Sequence, residues 1–192
     1  FLNIADNIII GGAMANTFLL SNNYKIGKSL VEKDYINVAS DIIKIAGEKK
    51  CEIILPTDVV CSTSFEEKHN VRTCKINDVF EDHMILDIGE ATTKLIIDKI
   101  LKSKSVLWNG PLGAFEYKPF DKSSLSVANA IQKYSNDFKI DTMAGGGDTI
   151  SVINLSNTSN SFTYLSNAGG AFLEWLEGNK SPGYIALQEN IK

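Results

Sequence analysis

Short apolar runs alternate with longer amphipathic segments along this chain, which is the pattern of strands joined by helices around a parallel sheet. The runs with the length and composition of strands are residues 7–10, 52–55, 84–87, 105–108, 140–144 and 162–165. The pattern therefore predicts an α/β fold of the doubly wound, Rossmann-like kind, with a mainly parallel sheet of about six strands and helices on both faces.

The amphipathic segments between these runs predict helices. Residues 31–49 carry an apolar stripe at three- and four-residue spacing, formed by Tyr35, Val38, Ile42, Ile45 and Ala46. Residues 91–101 and 121–134 carry similar stripes. Each stripe is the face that an amphipathic helix buries against a sheet.

One section departs from this alternation. Residues 58–65 and 71–76 are strand-like and are joined by a charged loop, residues 66–70. These neighbouring runs predict an antiparallel excursion from the parallel sheet. No internal repeat or Pro/Ser-rich linker divides the sequence, so we expect a single domain.

The composition and charge of the chain argue against nucleic-acid and membrane partners. The chain has 192 residues, 44% hydrophobic and 22% charged, which is enough for a sizeable core. The formal net charge of −4 and the scattered lysines argue against duplex nucleic acid, because phosphate-backbone affinity depends on clustered basic side chains. No apolar run approaches the roughly 20 residues that span a bilayer, and the N-terminus lacks the basic start of a signal peptide. We therefore expect a cytoplasmic protein without a nucleic-acid or membrane partner.

The chain begins with Phe1, inside what resembles the end of a helix, so we expect it to be a piece of a longer protein. Cys51, Cys61 and Cys74 lie on apolar or strand-like runs without the spacing of a metal site. They are expected to be buried free thiols, with a contact between Cys61 and Cys74 across a hairpin as the alternative. The two histidines are expected at the surface; they are His69 and His83.

Glycine-rich segments follow four of the predicted strands. They are residues 11–18 (GGAMANTF), 109–116 (NGPLGAFE), 144–149 (AGGGDT) and 166–178 (SNAGGAFLEWLEG). In a parallel sheet these segments lie at one edge, outside the carboxyl ends of the strands, where α/β proteins bind ligands. Glycines allow the backbone to approach a ligand closely, and the free N–H groups of the following helices attract anions. One such glycine alone indicates a tight turn, but four converging turns favour a nucleotide-phosphate site.

Three acidic or hydroxyl side chains in these segments suit a nucleotide bound with a metal. Asp148 offers a carboxylate to Mg²⁺ on polyphosphate, since this metal needs only one or two protein carboxylates. Thr149 offers a hydroxyl to a phosphate oxygen from the same helical turn. The alternative is that Asp148 caps the helix and Thr149 only begins it. Glu116, between two aromatic residues, is expected either to accept hydrogen bonds from ribose hydroxyls or to be a solvated loop charge.

Two familiar nucleotide motifs are absent from the sequence. There is no GxxxxGK[ST] loop, and no GxGxxG turn opens a helix after the first strand. Phosphate binding would therefore depend on dispersed helix ends. A dinucleotide-binding redox domain is disfavoured, because no acidic residue follows such a turn at the required distance.

Six ordered blocks identify the family that the chain resembles. They are GGAMANTFL (residues 11–19), LPTDVV (55–60), LDIGEAT (86–92), WNGPLGAFE (108–116), AGGGDT (144–149) and GGAFLEWLEG (169–178). In order and spacing they resemble the C-terminal half of phosphoglycerate kinase, from nearly the first residue to the last. The resemblance implies that residues 1–192 are the nucleotide-binding C-terminal domain of a two-domain, usually monomeric kinase of glycolysis, whose N-terminal acyl-phosphate domain is not in this chain.

The family transfers a phosphoryl group from 1,3-bisphosphoglycerate to MgADP, giving ATP and 3-phosphoglycerate. The resemblance therefore implies ADP or ATP as the ligand, Mg²⁺ as the cofactor, and an N-terminal domain with the 3-phosphoglycerate site as the partner. We expect this chain alone to bind nucleotide without turnover, because half of the reactants have no site on it. The alternative is a free-standing nucleotide-binding module without catalytic activity.

The resemblance also implies roles for individual residues. Nucleoside contacts would come from Gly11 and Gly12 in the adenine pocket, Asn109 and Pro111 flanking the nucleotide, and Glu116 on the ribose. Phosphate contacts would come from the backbone N–H groups of Gly145, Gly146 and Gly147 and from Thr149, with Asp148 holding Mg²⁺ through the nucleotide. The catalytic glycines would be Gly169 and Gly170, at the head of the helix that faces the transferred phosphoryl group.

Some positions depart from the family pattern. Ile85 replaces a glycine, which predicts a narrower adenine pocket. Ser123 and Ser124 replace a Gly-Thr pair. Asn167 and Ala168 replace a threonine and a glycine, which alters the hydroxyl contacts expected at the start of the following helix.

Overall fold

The computed structural model describes residues 1–66, 70–138, 140–178 and 185. The strands, in chain order, are β1 (Asn7–Ile9), β2 (Glu52–Ile54), β3 (Asp58–Ser62), β4 (Arg72–Lys75), β5 (Met84–Ile88), β6 (Ser105–Asn109), β7 (Asp141–Gly145) and β8 (Tyr164–Ser166). The helices are α1 (Gly12–Ser21), α2 (Ile36–Lys49), α3 (Glu90–Ile100), α4 (Lys122–Phe138), α5 (Gly147–Leu155) and α6 (Gly170–Leu176). The predicted α/β class is confirmed.

The strands pair in a way that the sequence pattern predicts only in part. Strands β1 and β2 are parallel, as are β6, β7 and β8. Strand β3 lies between β4 and β5 and is antiparallel to both. The described strands therefore form three hydrogen-bonded sheets of two, three and three strands, and not one sheet of about six. Residues 84–87, expected among the parallel strands, belong to the antiparallel sheet, because a short apolar run satisfies either strand direction.

The antiparallel excursion is confirmed and explains the cysteines. The register of β3 and β4 places Val59 opposite Cys74, so Cys61 and Cys74 lie two positions apart on the same face. Their thiols are hydrogen-bonded, and burial raises the pKa of Cys61 to about 12. Cys51 and Cys61 are buried free thiols as expected, Cys74 is a free thiol that is only half-buried, and the alternative contact across the hairpin is also present.

The surface position predicted for His83 is wrong, while His69 lies outside the described residues. His83 is buried, its Nδ1 atom lies 2.7 Å from an Asp82 carboxylate oxygen, and its ring packs 5.1 Å from the ring of Phe80. The reason is a close backbone approach at Gly27, where the N–H group of the next residue, Lys28, donates to the carbonyl oxygen of His83. A side chain on Gly27 would block that approach.

The three predicted helices are confirmed with shifted ends. The stripe at 31–49 forms α2, preceded by a 3₁₀ turn at Lys33–Tyr35, and the stripe at 91–101 forms α3. The stripe at 121–134 forms α4, which continues to Phe138. Among the described helices, none combines the length and the apolar composition needed to cross a membrane.

The largest group of buried apolar side chains lies between the β6–β7–β8 sheet and helices α3, α4 and α5. Its members include Ile96, Trp108, Ile131, Val152 and Ile153. Burial of each such side chain contributes about 1.5–3 kcal/mol to folding. Because the same side chains fix the helices to the sheet, they also fix where the carboxyl ends of the strands meet the helix N-termini.

Candidate functional site

Three of the glycine-rich segments meet at the carboxyl end of the β6–β7–β8 sheet. The register places Asn109 of β6 beside Gly145 of β7, and Gly145 beside Ser166 of β8. The next residue, Gly146, donates its N–H group to the carbonyl oxygen of Ser166 at 3.0 Å. The turns that leave these strands therefore start side by side, as the parallel arrangement predicts.

The turns are packed too closely for side chains. A Cβ atom on Gly146 would lie 2.8 Å from the Oδ1 atom of Asn109, and one on Gly169 would lie 3.0 Å from the Cα atom of Gly146. Gly146 has a φ angle of +95°, which side-chain-bearing residues rarely adopt. Asn109, Gly146 and Gly169 thus form one contact cluster, which we call the glycine cluster.

The segment after β1 joins the same edge through the loop after β6. The N–H group of Gly12 donates to the carbonyl oxygen of Leu112 at 3.0 Å. A Cβ atom on Gly11 would lie 2.7 Å from the Leu112 side chain. All four glycine-rich segments are therefore brought together, as expected from the sequence. What they bind stays a prediction.

The chain caps two of its helices with distant carboxylates and leaves two others open. The Asp58 carboxylate accepts hydrogen bonds from the backbone N–H groups of Ala91 (2.9 Å) and Thr92 (2.7 Å) in the first turn of α3. The Asp87 carboxylate accepts one from Ser123 in the first turn of α4, at 3.2 Å. Helices α1 and α5 instead have Gly11 and Gly146 as their N-cap residues, which provide no side-chain cap. The Gly12 N–H group of α1 is engaged by Leu112, whereas the N–H groups of the first turn of α5 lie at the glycine edge and suit an external anion.

Asp148 lies in the first turn of α5 and is exposed. Within the described part of the chain, its carboxylate has neither a hydrogen-bond partner nor an ion-pair partner. No group of three or more His, Cys, Asp or Glu side chains suited to a metal occurs among the described residues. A single exposed carboxylate beside open helical N–H groups fits a cation that is held mainly by phosphate oxygens.

Thr149 occupies a different position from Asp148. It is fully buried, and its hydroxyl oxygen accepts a hydrogen bond from the N–H group of Gly110 at 2.7 Å. Thr149 therefore ties the loop after β6 to the first turn of α5. Its predicted contact with a phosphate stays a prediction, and its observed role is one that the sequence motif alone did not indicate.

The loop at residues 109–116 is held on both sides while its acidic end remains exposed. Leu112 donates its N–H group to the hydroxyl oxygen of Ser124 at 2.9 Å. Glu116 is exposed, between the buried Phe115 and Tyr117, whose ring lies 5.1 Å from the ring of Phe65. The backbone around Glu116 is therefore anchored by its aromatic neighbours. Its carboxylate faces solvent, outside the glycine cluster.

The positions that depart from the family pattern are also placed. Ile85 packs against the buried cluster of the antiparallel sheet, with Val59 and Cys61 among its members. The narrower adenine pocket predicted from Ile85 stays a prediction. Asn167 and Ala168 are exposed, and the Ala168 N–H group donates to the Ser166 hydroxyl oxygen at 3.2 Å.

Sequence reasoning missed several residues that shape this edge. They are Asp58, Asp87, Gly110, Leu112, Ser124 and Phe172. The contacts of the two aspartates join residues 34 and 36 positions apart, so no local motif shows them. A weak signal in the sequence is that both aspartates lie on strands. Asp58 lies on β3, which is followed by β4, and Asp87 lies on β5, which is followed by α3.

Asp87 is the titratable group that this environment changes most clearly. Burial raises its pKa from 3.8 to about 6, against the lowering effect of hydrogen bonds from Ser123 and Ile88. The nearby Asp121 raises the pKa further. The folded state therefore holds a proton on Asp87 at pH values where the unfolded chain has released it.

This shift predicts a pH dependence of stability. Because the folded pKa is raised, the contribution of Asp87 is complete below the unfolded pKa and is lost as pH rises through the folded pKa of about 6. Relative to Asp87→Asn, the free energy of unfolding of the wild type should fall by about 2 kcal/mol between pH 4 and pH 7. Urea titrations across this range measure it. Asp98→Asn, an exposed position on α3, is the control; the same slope in both comparisons would contradict the assignment to Asp87.

The family model for phosphoglycerate kinase matches residues 1–179 of the chain. The chain is 45% identical over 183 residues to the phosphoglycerate kinase of Azorhizobium caulinodans, covering 95% of this chain and 46% of that protein. It is also 45% identical over 184 residues to the enzyme of Bartonella tribocorum, covering 96% of this chain and 46% of that protein.

Solved structures agree with these sequence matches. The fold matches the phosphoglycerate kinase structure from Coxiella burnetii with a TM-score of 0.87 and 34% identity, over 93% of this chain and 45% of the other. It matches the phosphoglycerate kinase structure from Pyrococcus horikoshii with a TM-score of 0.79 and 25% identity, over 96% of this chain and 45% of the other. The chain thus spans slightly less than half the length of these relatives. The family model matches residues 1–179 of the 192-residue chain, and the fold agrees with the solved structures. The chain therefore belongs to the phosphoglycerate kinase family.

Proposed function

We propose that residues 1–192 are the nucleotide-binding, C-terminal domain of a two-domain phosphoglycerate kinase. The whole protein would transfer a phosphoryl group reversibly from 1,3-bisphosphoglycerate to MgADP, giving ATP and 3-phosphoglycerate in glycolysis. The acyl-phosphate site would belong to a preceding N-terminal domain. The observation that carries the proposal is the N-terminus of α5, which has Gly146 as its N-cap residue and no side-chain cap, and which presents Asp148 among four converging glycine turns.

The backbone at residues 145–147 would bind the nucleotide phosphates. Uncapped N–H groups and the dipole of α5 both favour negative charge at this end of the helix. A Cβ atom on Gly147 would meet no atom within 4 Å, so the space beside this backbone is open to a ligand. Gly169 and Gly170 would present N–H groups to the phosphoryl group in transfer. The position of Gly169 against Gly146 supports one shared phosphate-binding edge.

Mg²⁺ bound with the nucleotide would be held on the protein side by Asp148. The ion supplies neutralisation of the charge on the phosphate oxygens. Asp148 suits this role because its carboxylate is exposed and is not engaged by another described residue. One carboxylate is sufficient, because Mg²⁺ keeps several waters and takes its other ligands from phosphate.

The nucleoside would extend from the phosphates along the glycine-rich segments at residues 11–18 and 109–116. Gly11 and Gly12 would line the adenine pocket, Asn109 and Pro111 would flank the nucleotide, and Glu116 would accept hydrogen bonds from the ribose hydroxyls. The contact of Gly12 with Leu112 supports a surface continuous between these turns.

Catalysis by this domain would consist of positioning and electrostatic stabilisation. Phosphoryl transfer requires little covalent chemistry from the protein, so no nucleophile is assigned. The N–H groups of the first turn of α5, from Gly147 onward, and those at residues 169–170 would orient the phosphate chain and stabilise charge on it. The Gly146 N–H group is already donated to Ser166, so Gly146 would contribute through its backbone conformation. Without the acyl-phosphate site, the 192-residue chain is expected to bind nucleotide and to show no turnover of 3-phosphoglycerate. Its predicted cytoplasmic location stays a prediction.

Substitution of Asp148 tests the magnesium part of the proposal. In calorimetric titrations, Asp148→Ala should weaken binding of MgADP by about tenfold or more, because a charge-assisted contact contributes about 1.5–3 kcal/mol. Binding of ADP with EDTA should be no weaker than in the wild type, since the substitution removes only negative charge.

Asp98→Ala is the matched control, because it removes an exposed carboxylate on α3. It should leave both titrations unchanged. Equal weakening of ADP binding with and without Mg²⁺ in Asp148→Ala would contradict the metal role. Absence of any MgADP binding by the wild-type chain would contradict the nucleotide proposal itself.

A further inference from the structure

Asp87 connects three elements beneath the loop at residues 109–116. It lies on β5 and is only 1% exposed. Its Oδ1 atom accepts hydrogen bonds from the Ile88 N–H group (2.9 Å) and the Ser123 hydroxyl, and its Oδ2 atom accepts one from the Ser123 N–H group (3.2 Å). These donors join β5 to the first turn of α4.

The same carboxylate sets the course of the loop. A Cβ atom on Gly113 would lie 2.4 Å from the Oδ1 atom of Asp87, so the loop backbone is seated directly on the carboxylate. The neighbouring residues are fixed to the same two elements. Ala114 donates its N–H group to the Leu86 carbonyl oxygen on β5 at 2.7 Å, and Leu112 donates to Ser124 on α4.

A helix cap alone does not account for this arrangement. Asp58 also lies against a glycine, since a Cβ atom on Gly89 would lie 2.2 Å from its Oδ2 atom, but Gly89 is the N-cap residue of the helix that Asp58 caps. The Asp87 carboxylate caps α4 and also contacts the loop backbone at Gly113. Gly113 lies in the middle of the loop at residues 109–116, outside the helix that Asp87 caps. Burying a carboxylate costs free energy, and no basic side chain pairs with Asp87 among the residues that the structure describes, which favours a role beyond capping.

We infer that Asp87, acting through Ser123 and Gly113, is a positioning residue that sets the loop at residues 109–116 and thereby the contact of Glu116 with the ribose of the bound nucleotide. This inference rests on the proposed function. Asp87 is not proposed to touch the nucleotide or the metal. It acts only through the loop.

A pair of ligands separates this role from a structural one. MgADP and the magnesium complex of 2′,3′-dideoxy-ADP differ only in the ribose hydroxyls that Glu116 is proposed to bind. For the wild-type chain, calorimetry should give MgADP about tenfold tighter binding than the dideoxy ligand. Ser123→Ala, which removes one hydrogen bond to Asp87, should reduce that ratio to about threefold or less, mainly by weakening MgADP.

Two further variants sharpen the comparison. Asp87→Asn should abolish most of the ratio, because an amide cannot accept all three hydrogen bonds. Ile76→Ala removes a buried side chain from the antiparallel-sheet cluster and should lower stability without changing the ratio. Ser123→Ala keeps the test available if Asp87→Asn does not fold.

The outcomes distinguish the inference from the proposal beneath it. An unchanged ratio in a folded Ser123→Ala chain would overturn the positioning role of Asp87 alone. A reduced ratio in Ile76→Ala as large as in Ser123→Ala would also overturn it, since any loss of stability would then have the same effect. A wild-type chain that binds both ligands equally would overturn the Glu116–ribose contact, and with it this inference.

Discussion

Replacing Gly146 by alanine is expected to weaken binding of MgADP to this chain by roughly two orders of magnitude. The φ angle of +95° at Gly146 is strained for any residue with a side chain. The added Cβ atom would also lie 2.8 Å from the Asn109 Oδ1 atom, and 3.7 Å from the Gly169 Cα atom. Relief of the overlap with Asn109 requires that side chain to rotate away, and relief of the strained φ angle requires the turn at the start of α5 to move. The N–H groups proposed to bind phosphate move with it.

Gly178→Ala is the matched control for this substitution. Gly178 also has a positive φ angle, +88°, but a Cβ atom there would meet no atom within 4 Å, and the residue lies after α6. It therefore introduces backbone strain without a collision at the glycine cluster. Calorimetric titration of both variants should show the loss only in Gly146→Ala. Wild-type affinity in a folded Gly146→Ala chain would contradict the proposed use of this turn.

Of the proposed substitutions, Gly27→Ala is expected to lower the free energy of unfolding most, by about 4 kcal/mol or more. Gly27 has a φ angle of +56°, and a Cβ atom there would lie 2.2 Å from the His83 carbonyl oxygen and 2.4 Å from that of Phe80. Both obstacles are backbone atoms, which a rotamer change does not move. The hydrogen bond from Lys28 to His83, 2.8 Å long, would be lost as the segments separate. Urea unfolding measures the difference.

Gly47→Ala is the comparison variant, because it is expected to raise the free energy of unfolding instead of lowering it. Gly47 lies in α2, is exposed, and a Cβ atom there would meet no atom within 4 Å. The substitution should raise the free energy of unfolding by about 0.5–1 kcal/mol, the difference in helix propensity. If Gly27→Ala were as stable as Gly47→Ala, the close approach of residues 80–83 to Gly27 would be wrong, and so would the explanation for the burial of His83.

The glycine-rich edge was predictable because each of its parts is local in sequence. A strand followed by glycines and a helix is recognisable within about ten residues, and parallel strands place such turns at a common edge. The contact of Gly146 with Asn109 and Gly169 follows from that geometry. The role of Thr149 did not follow, because a hydroxyl in the first turn of a helix suits either a ligand or a neighbouring loop, and here it accepts a hydrogen bond from Gly110.

The remaining features depend on strand order, which the apolar pattern does not contain. The direction of β5 follows from its pairing with β3, and residues 84–87 would have the same pattern in a parallel sheet. The burial of His83 depends on Gly27, 56 positions earlier in the chain. Asp58 and Asp87 cap helices that begin about thirty residues after them, so a local search finds only two carboxylates on strands.

Titration of the ¹⁵N-labelled chain with MgADP, followed by amide NMR, shows whether main-chain N–H groups at one sheet edge bind the nucleotide phosphates. We expect the largest chemical-shift changes at Gly12, at residues 145–149 and at residues 169–170, with smaller ones in the loop at 109–116. Saturable binding whose shifts fall instead on β3, β4 and the segment around His83, with the glycine amides unchanged, would contradict this proposal.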